Sequence, residues 1–167
     1  MGIPKLAATS FHWVDAEIGV PKVFRLLKKG GVFALFRCNA VPAEGNAVYE
    51  EIQNVYEATC YRYYASKERP VRKSGEDLLR PAEIRRSFGF DGLERYGFRD
   101  VALKLYDASR IYSADEYIEL LDTYSDHRNL PDDLRSALYE GIREVIVRHG
   151  GFHEVDCLYQ LYMGRKL

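Results

Sequence analysis

The sequence predicts a domain of the α/β class, and three observations carry that reading. The first is "VFALF", residues 32–36, an apolar run with no polar alternation. Such a run has no solvent face and reads as a central strand covered on both sides. The second is the set Val20, Val23, Phe24 and Leu27 just upstream, spaced as one face of a helix. The third is "KLAAT", residues 5–9, which reads as the end of a short strand. Strand end, helix, Gly-Gly turn and buried strand make a βαβ unit, whose crossover is expected to be right-handed.

The remaining elements follow in order. Pro21 suits a first helical turn, where its missing N–H has no intrahelical acceptor anyway. Lys28 and Lys29 complement the negative end of that helix, and Gly30-Gly31 supply its stop. A phosphate loop runs from strand into helix. Here the order is helix into strand, so the glycine pair is a cap. After the turn-rich "NAVPAEGN" (39–46), Val48, Ile52, Val55, Tyr56 and Thr59 predict a helix reaching to about Tyr64. The polar segment "ASKERPVRKSGED" (65–77) reads as a loop. Its basic residues are interleaved with Glu68, Glu76 and Asp77, which marks a solvated loop and not a nucleic-acid patch.

Pro81 opens a short helix, "PAEIRRSF". "FRDVALKLY" (98–106) alternates Val101, Leu103 and Leu105 against Ala102, Lys104 and Tyr106, as a half-covered strand does. Ser113 and Glu116 form a capping box in "SADE", and Tyr117, Leu120, Leu121 and Tyr124 are the expected buried face of the helix it opens. Asn129 to Pro131 breaks the chain. A longer helix from Pro131 to about His149 buries Leu134, Leu138, Ile142, Val145 and Ile146, then stops at Gly150-Gly151. "VDCLYQLYM" (155–163) is the final strand. There are no internal repeats and no convincing linker, so residues 1–167 are expected to form a single domain.

At 47% hydrophobic and 29% charged residues, the balance is that of a globular protein. A formal net charge of −1 supplies no overall field to recruit nucleic acid or an anionic membrane. Cys38, Cys60 and Cys157 show no C-x-x-C spacing, so reduced thiols are expected, with no disulfide framework and no metal. No apolar run approaches the roughly 20 residues of a membrane span, and the N-terminus has no signal-peptide core. The expectation is a soluble, cytoplasmic protein. The 13 tyrosines suit half-buried helix faces or a pocket wall, since each joins an apolar body to a polar tip.

In an open parallel sheet, ligands bind beyond the carboxyl ends of the strands. Two such ends are visible: Ala8-Thr9-Ser10 running into Phe11-His12-Trp13, and Arg37-Cys38-Asn39. If their strands are neighbours, both loops face one crevice, and His12 and Trp13 become candidate pocket walls. The other reading is that Phe11 and Trp13 anchor the helix that follows. The motifs of serine hydrolases, zinc proteases and phosphate loops are absent. "TYSDHRNL" (123–130) gathers Tyr124, Asp126, His127 and Arg128 at a helix end, an ordinary polar terminus when taken alone.

The ordered set "AATSFHWVD", "RLLKKGGVFALF" and "YSADEYIELLDTYSDHRNLP" resembles a class I S-adenosylmethionine-dependent methyltransferase. The resemblance is to the methyltransferase type 11 (UbiE-like) group, which acts on small molecules, and it runs over essentially the whole chain. It implies a partial Rossmann-like methyltransferase sheet with flanking helices. The strand before Thr9 is then the family's fourth, "VFALF" its fifth, "DVALKLY" its sixth and "DCLYQLYM" its seventh, the last antiparallel. In that family the loop after the fourth strand borders the methionine end of the cofactor and the acceptor. The resemblance therefore implies cofactor contacts at Thr9, Phe11 and Trp13. It implies acceptor contacts at His12, Trp13, Arg37, Tyr124 and His127, with His12 the residue that orients the acceptor or takes its proton. Arg37 stands where relatives often carry an aromatic or small residue.

By the same resemblance, the glycine-rich first loop, the acidic residue that holds the ribose and the acidic position for adenine are missing. The expectation is one partial domain lacking the N-terminal cofactor-binding half, not competent alone. S-Adenosylmethionine binds only if that half is supplied, and the open sheet edge pairs with a complementing half or a second copy. The alternative is a non-catalytic remnant or binding module that pairs with a separate front half.

Overall fold

A computed structural model describes residues 5–8, 10–41, 44–65 and 67–167. Its sheet has four strands, β1 (Lys5–Ala8), β2 (Val32–Ala40), β3 (Arg99–Ser113) and β4 (Phe152–Arg165), in the order β1-β2-β4-β3. β1 and β2 are parallel, in register from Lys5↔Phe33 to Ala8↔Phe36. β2 and β4 are antiparallel, from Val32↔Arg165 to Ala40↔Cys157. The chain is thus α/β, with "VFALF" inside a mixed sheet and the last strand antiparallel to it. The helices are α1 (Ala16–Leu26), α2 (Ala47–Ala58), α3 (Cys60–Tyr63), α4 (Gly75–Leu79), α5 (Pro81–Phe88), α6 (Ala114–Asp122), α7 (Ser125–Arg128) and α8 (Asp132–Arg148). The chain divides into two compact units, residues 1–41, 73–108 and 157–167 in one, and 42–72 and 109–156 in the other.

In the first unit, α1 begins five residues earlier than Pro21, because Asp15 caps it by accepting from the Glu17 N–H at 2.9 Å. Pro21 therefore lies inside the helix and not in its first turn. The helix ends at Leu26, so Lys28, Lys29 and the glycine pair belong to the following turn. The cation that meets the helix end comes from far away in sequence. Lys166 Nζ donates to the carbonyls of Phe24 at 2.7 Å and Leu27 at 2.8 Å. Gly30, at φ +77°, makes the turn and donates its N–H to the Lys166 carbonyl. Only glycine adopts that backbone freely.

The core of this unit is built on aromatic edges. Phe11 meets Phe33 edge-on at 5.4 Å, and Phe24 meets Phe98 at 4.9 Å. Leu35, Leu93 and Val20 fill the space between such rings and are fully buried. The segment expected to be loop throughout contains α4, which Ser74 and Asp77 open with a reciprocal capping box. α5 covers the "PAEIRRSF" segment and closes on Gly89 at φ +83°.

In the second unit the helix expected to reach Tyr64 is broken at Thr59, whose backbone leaves helical geometry (φ −121°, ψ −85°) between α2 and α3. The Thr59 hydroxyl donates back to the Val55 carbonyl at 2.7 Å, the local bond by which threonine competes with helix. Ser113 and Glu116 form the expected capping box on α6. The buried face of α6 is Ala114, Ile118 and Leu121, not the set ending in Tyr124, which is 44% exposed. α8 buries Leu138, Ile142, Val145 and Ile146, with Leu134 half-buried, and ends at Gly150 and Gly151, both at positive φ.

Candidate functional site

Pleating puts alternate residues of β2 on one face. On that face Phe33 is 1% exposed and Leu35 is fully buried, and the run then turns polar at Arg37 and Asn39. The change comes where parallel β1 ends, since Ala8 pairs with Phe36. The structure makes the two strands neighbours, the condition on which the shared crevice was expected.

Beneath Arg37 lies a buried amide. Gln160 stands opposite Arg37 on β4 and has no exposed surface. Its Oε1 accepts from Asn39 Nδ2 and from Ser87 Oγ, both at 3.0 Å, and its Nε2 donates to the Leu78 carbonyl at 2.8 Å. Asn39 also donates to the Leu158 carbonyl at 3.3 Å. This network fixes the floor on which Arg37 rests. Arg37 Nη1 donates to the Ser87 carbonyl at 3.1 Å, and its Nε is buried with no partner among the described residues. Burial, followed by the neighbouring positive charge of Arg86, pulls the guanidinium below its ordinary range. It stays protonated nonetheless.

The 3-10 turn Phe11–Trp13 follows β1. Phe11 is an anchor, its ring edge-on to Phe33 and to Phe90. Trp13 is not: it is 76% exposed, with the His12 ring 5.0 Å away. His12 is exposed, and burial of its contacting edge, with the Arg37 charge second, lowers its pKa. Near neutral pH the ring is therefore an uncharged imidazole able to accept a proton. Phe11, His12, Trp13 and Arg37 all belong to the first unit; Thr9 lies outside the described residues.

Tyr124 and His127 belong to the second unit. His127 is buried, its Nε2 3.2 Å from the Tyr56 hydroxyl and its Nδ1 without a partner among the described residues. The rings of Tyr124 and Tyr139 stand 5.6 and 5.9 Å from it. Neither Ser87 nor Gln160 was marked by the sequence. A polar Gln alternating with apolar residues in "VDCLYQLYM" was the one available sign. Among the described residues no cluster of His, Cys, Asp and Glu could hold a metal ion, and no helix is long and apolar enough to cross a membrane.

The buried histidines set a pH dependence. Burial holds His127 and His153 below the ordinary value, so the folded chain keeps them neutral where the unfolded chain protonates them. Unfolded histidine titrates near 6.5, so below that pH the unfolded state binds more protons and stability falls with pH. The melting temperature is expected to drop between pH 7 and pH 5, above the range where carboxylates contribute. His127→Gln should flatten that slope. A melting temperature constant from pH 7 to 5 would contradict buried, neutral imidazoles.

No family model and no curated protein matches the chain. Solved structures do. A protein assigned as a type II methyltransferase from Anaeromyxobacter dehalogenans is 17% identical, with a TM-score of 0.55 over 98% of this chain and 64% of that one. A protein assigned as a methyltransferase from Bacillus halodurans C-125 is 16% identical, with a TM-score of 0.41 over 98% of this chain and 63% of that one. Phosphoethanolamine N-methyltransferase 2 from Haemonchus contortus is 12% identical, with a TM-score of 0.37 over 98% of this chain and 33% of that one. The chain spans less than two-thirds of the length of each of them. The first likeness identifies the fold as methyltransferase-like, with the Rossmann-type layering of sheet and helices.

Proposed function

We propose that the chain is the acceptor-side, C-terminal portion of a class I S-adenosylmethionine-dependent methyltransferase of the UbiE-like kind, acting on a small molecule. The observation that carries this reading is the likeness of fold over 98% of the chain at a TM-score of 0.55. The candidate site agrees with it in chemistry. When bound, S-adenosylmethionine supplies a methyl group already activated by its sulfonium. The protein then has mainly to position the acceptor, and alignment alone lowers a barrier substantially. The exposed Trp13 ring offers the flat apolar surface, and Phe11 fixes the turn that presents it. His12 Nδ1 or Nε2 takes the acceptor's proton, and Arg37 orients the acceptor at the end of β2. These groups would face the methionine end of the cofactor, and its ribose and adenine would be held by the front half.

β1 is one of the two edge strands of the sheet among the described residues. Its open side is where a complementing front half, or a second copy of the chain, would add a strand. The test is calorimetric titration of S-adenosylhomocysteine into the chain alone and into the chain with a front half supplied. Alone it should bind very weakly, and completed it should bind at micromolar concentration. In the completed enzyme His12→Ala and Trp13→Ala should lower turnover with melting temperature nearly unchanged. Light scattering of the same samples separates complementation from self-association. Micromolar binding by the chain alone would remove the need for a front half. No binding by the completed domain would remove the methyltransferase reading.

A further inference from the structure

A guanidinium half-withdrawn from water needs an anion or a full set of acceptors. Arg37 has neither among the described residues. Its one hydrogen bond goes to a neutral carbonyl, that of Ser87, and its Nε is buried and unpartnered. The carboxylate whose field reaches it, Glu83, is already held by Lys73 at 2.5 Å and Arg86 at 2.8 Å. Arg37 is therefore left without a carboxylate of its own, since Glu83 is engaged by Lys73 and Arg86 and the only other carboxylate near Lys73 is Asp77, among the described residues. The site carries surplus positive charge where the β2 face changes from Leu35 to Arg37 and Asn39. A lysine would serve for charge alone, whereas a planar fork backed by a rigid carbonyl suits a two-oxygen anion.

We propose that this is an oxyanion subsite: the small molecule bound at the end of β2 carries a carboxylate or phosphate, which Arg37 grips through Nη2 and the remaining N–H of Nη1. Calling that molecule the methyl acceptor rests on the methyltransferase reading; the subsite itself rests on the surroundings of Arg37. His12, beside it, stands at the place where the uncharged part of the same molecule extends. The Gln160 amide gives the subsite its rigidity. It holds Ser87, Asn39 and Leu78 together, and so fixes the carbonyl that aims the guanidinium.

The test follows the histidine ring signals of the intact chain by NMR while inorganic phosphate, or acetate in a second arm, replaces chloride at constant ionic strength. His12 signals should move saturably and the His12 pKa should rise, because a bound anion cancels the Arg37 charge. His149, on α8's end and bonded to Glu51 at 2.9 Å, is the control and should not follow. Arg37→Gln should abolish the shift, and Arg37→Lys should weaken it at least tenfold by removing the fork. The arm that saturates at the lower concentration names the anionic group. Absence of a saturable His12 shift in the unaltered chain overturns the subsite, whether or not Arg37→Gln folds. So does a shift that Arg37→Gln leaves intact. Anion binding without S-adenosylhomocysteine binding by the completed domain would sink the methyltransferase reading alone, and the reverse result would sink the subsite alone.

Discussion

Phe33→Ala is expected to lower the stability of the chain by about 3–5 kcal/mol, the usual cost of emptying a phenylalanine site in a packed core. Phe33 is 1% exposed and lies on the central strand of the sheet. Its ring touches Phe11 at 5.4 Å and Phe98 at 5.9 Å, so truncation removes two aromatic contacts as well as apolar burial. Collapse around the void is hindered on both sides. β2 is held by hydrogen bonds to β1 and β4, and Gly164, its partner in register, approaches Phe98 so closely that a Cβ there would meet Phe98 Cβ at 2.9 Å. Urea unfolding measures the loss. A change below about 1 kcal/mol would mean that the ring is not packed as described.

Gln160→Leu is expected to cost about 2–4 kcal/mol although it keeps the volume and adds apolar surface, because each buried polar group left unpaired costs about 1–3 kcal/mol. The substitution strands the Ser87 hydroxyl and the Leu78 carbonyl, while Asn39 retains its bond to Leu158. Adding Ser87→Ala to Gln160→Leu should recover part of the loss, since a donor without an acceptor is then removed. Simple additivity of the two substitutions in urea unfolding would show that the serine and the amide are not coupled.

How much of this was legible in the sequence depended on how local the signal was. "VFALF" and "PAEIRRSF" could be read because burial on two faces and a proline at the first helical turn are marked within a few residues. The capping box on Ser113 was equally local. The same box on Ser74 was hidden by its charged surroundings, which read as loop. Pro21 misled because another residue, Asp15, fixes the start of the helix and leaves the proline inside it. The parallel neighbours β1 and β2 followed from the βαβ pattern, and with them the adjacency of the two strand ends that carry His12 and Arg37. The floor of the site could not be read. Arg37 and Ser87 are 50 residues apart, Ser87 and Gln160 73, and Asn39 and Gln160 121. Nothing within a window of sequence reports a bond across such distances.

The antiparallel pairing of β2 with β4 also has a temporal side. Asn39 and Leu158, joined across it, are separated by 119 residues. At the roughly 5–20 residues per second of protein synthesis, β2 leaves the ribosome on the order of ten seconds before its second neighbour exists. During that interval the most apolar strand of the chain can pair only with β1, four residues long. Its other edge, a row of unpaired N–H and C=O groups, is the surface a chaperone would meet on the nascent chain.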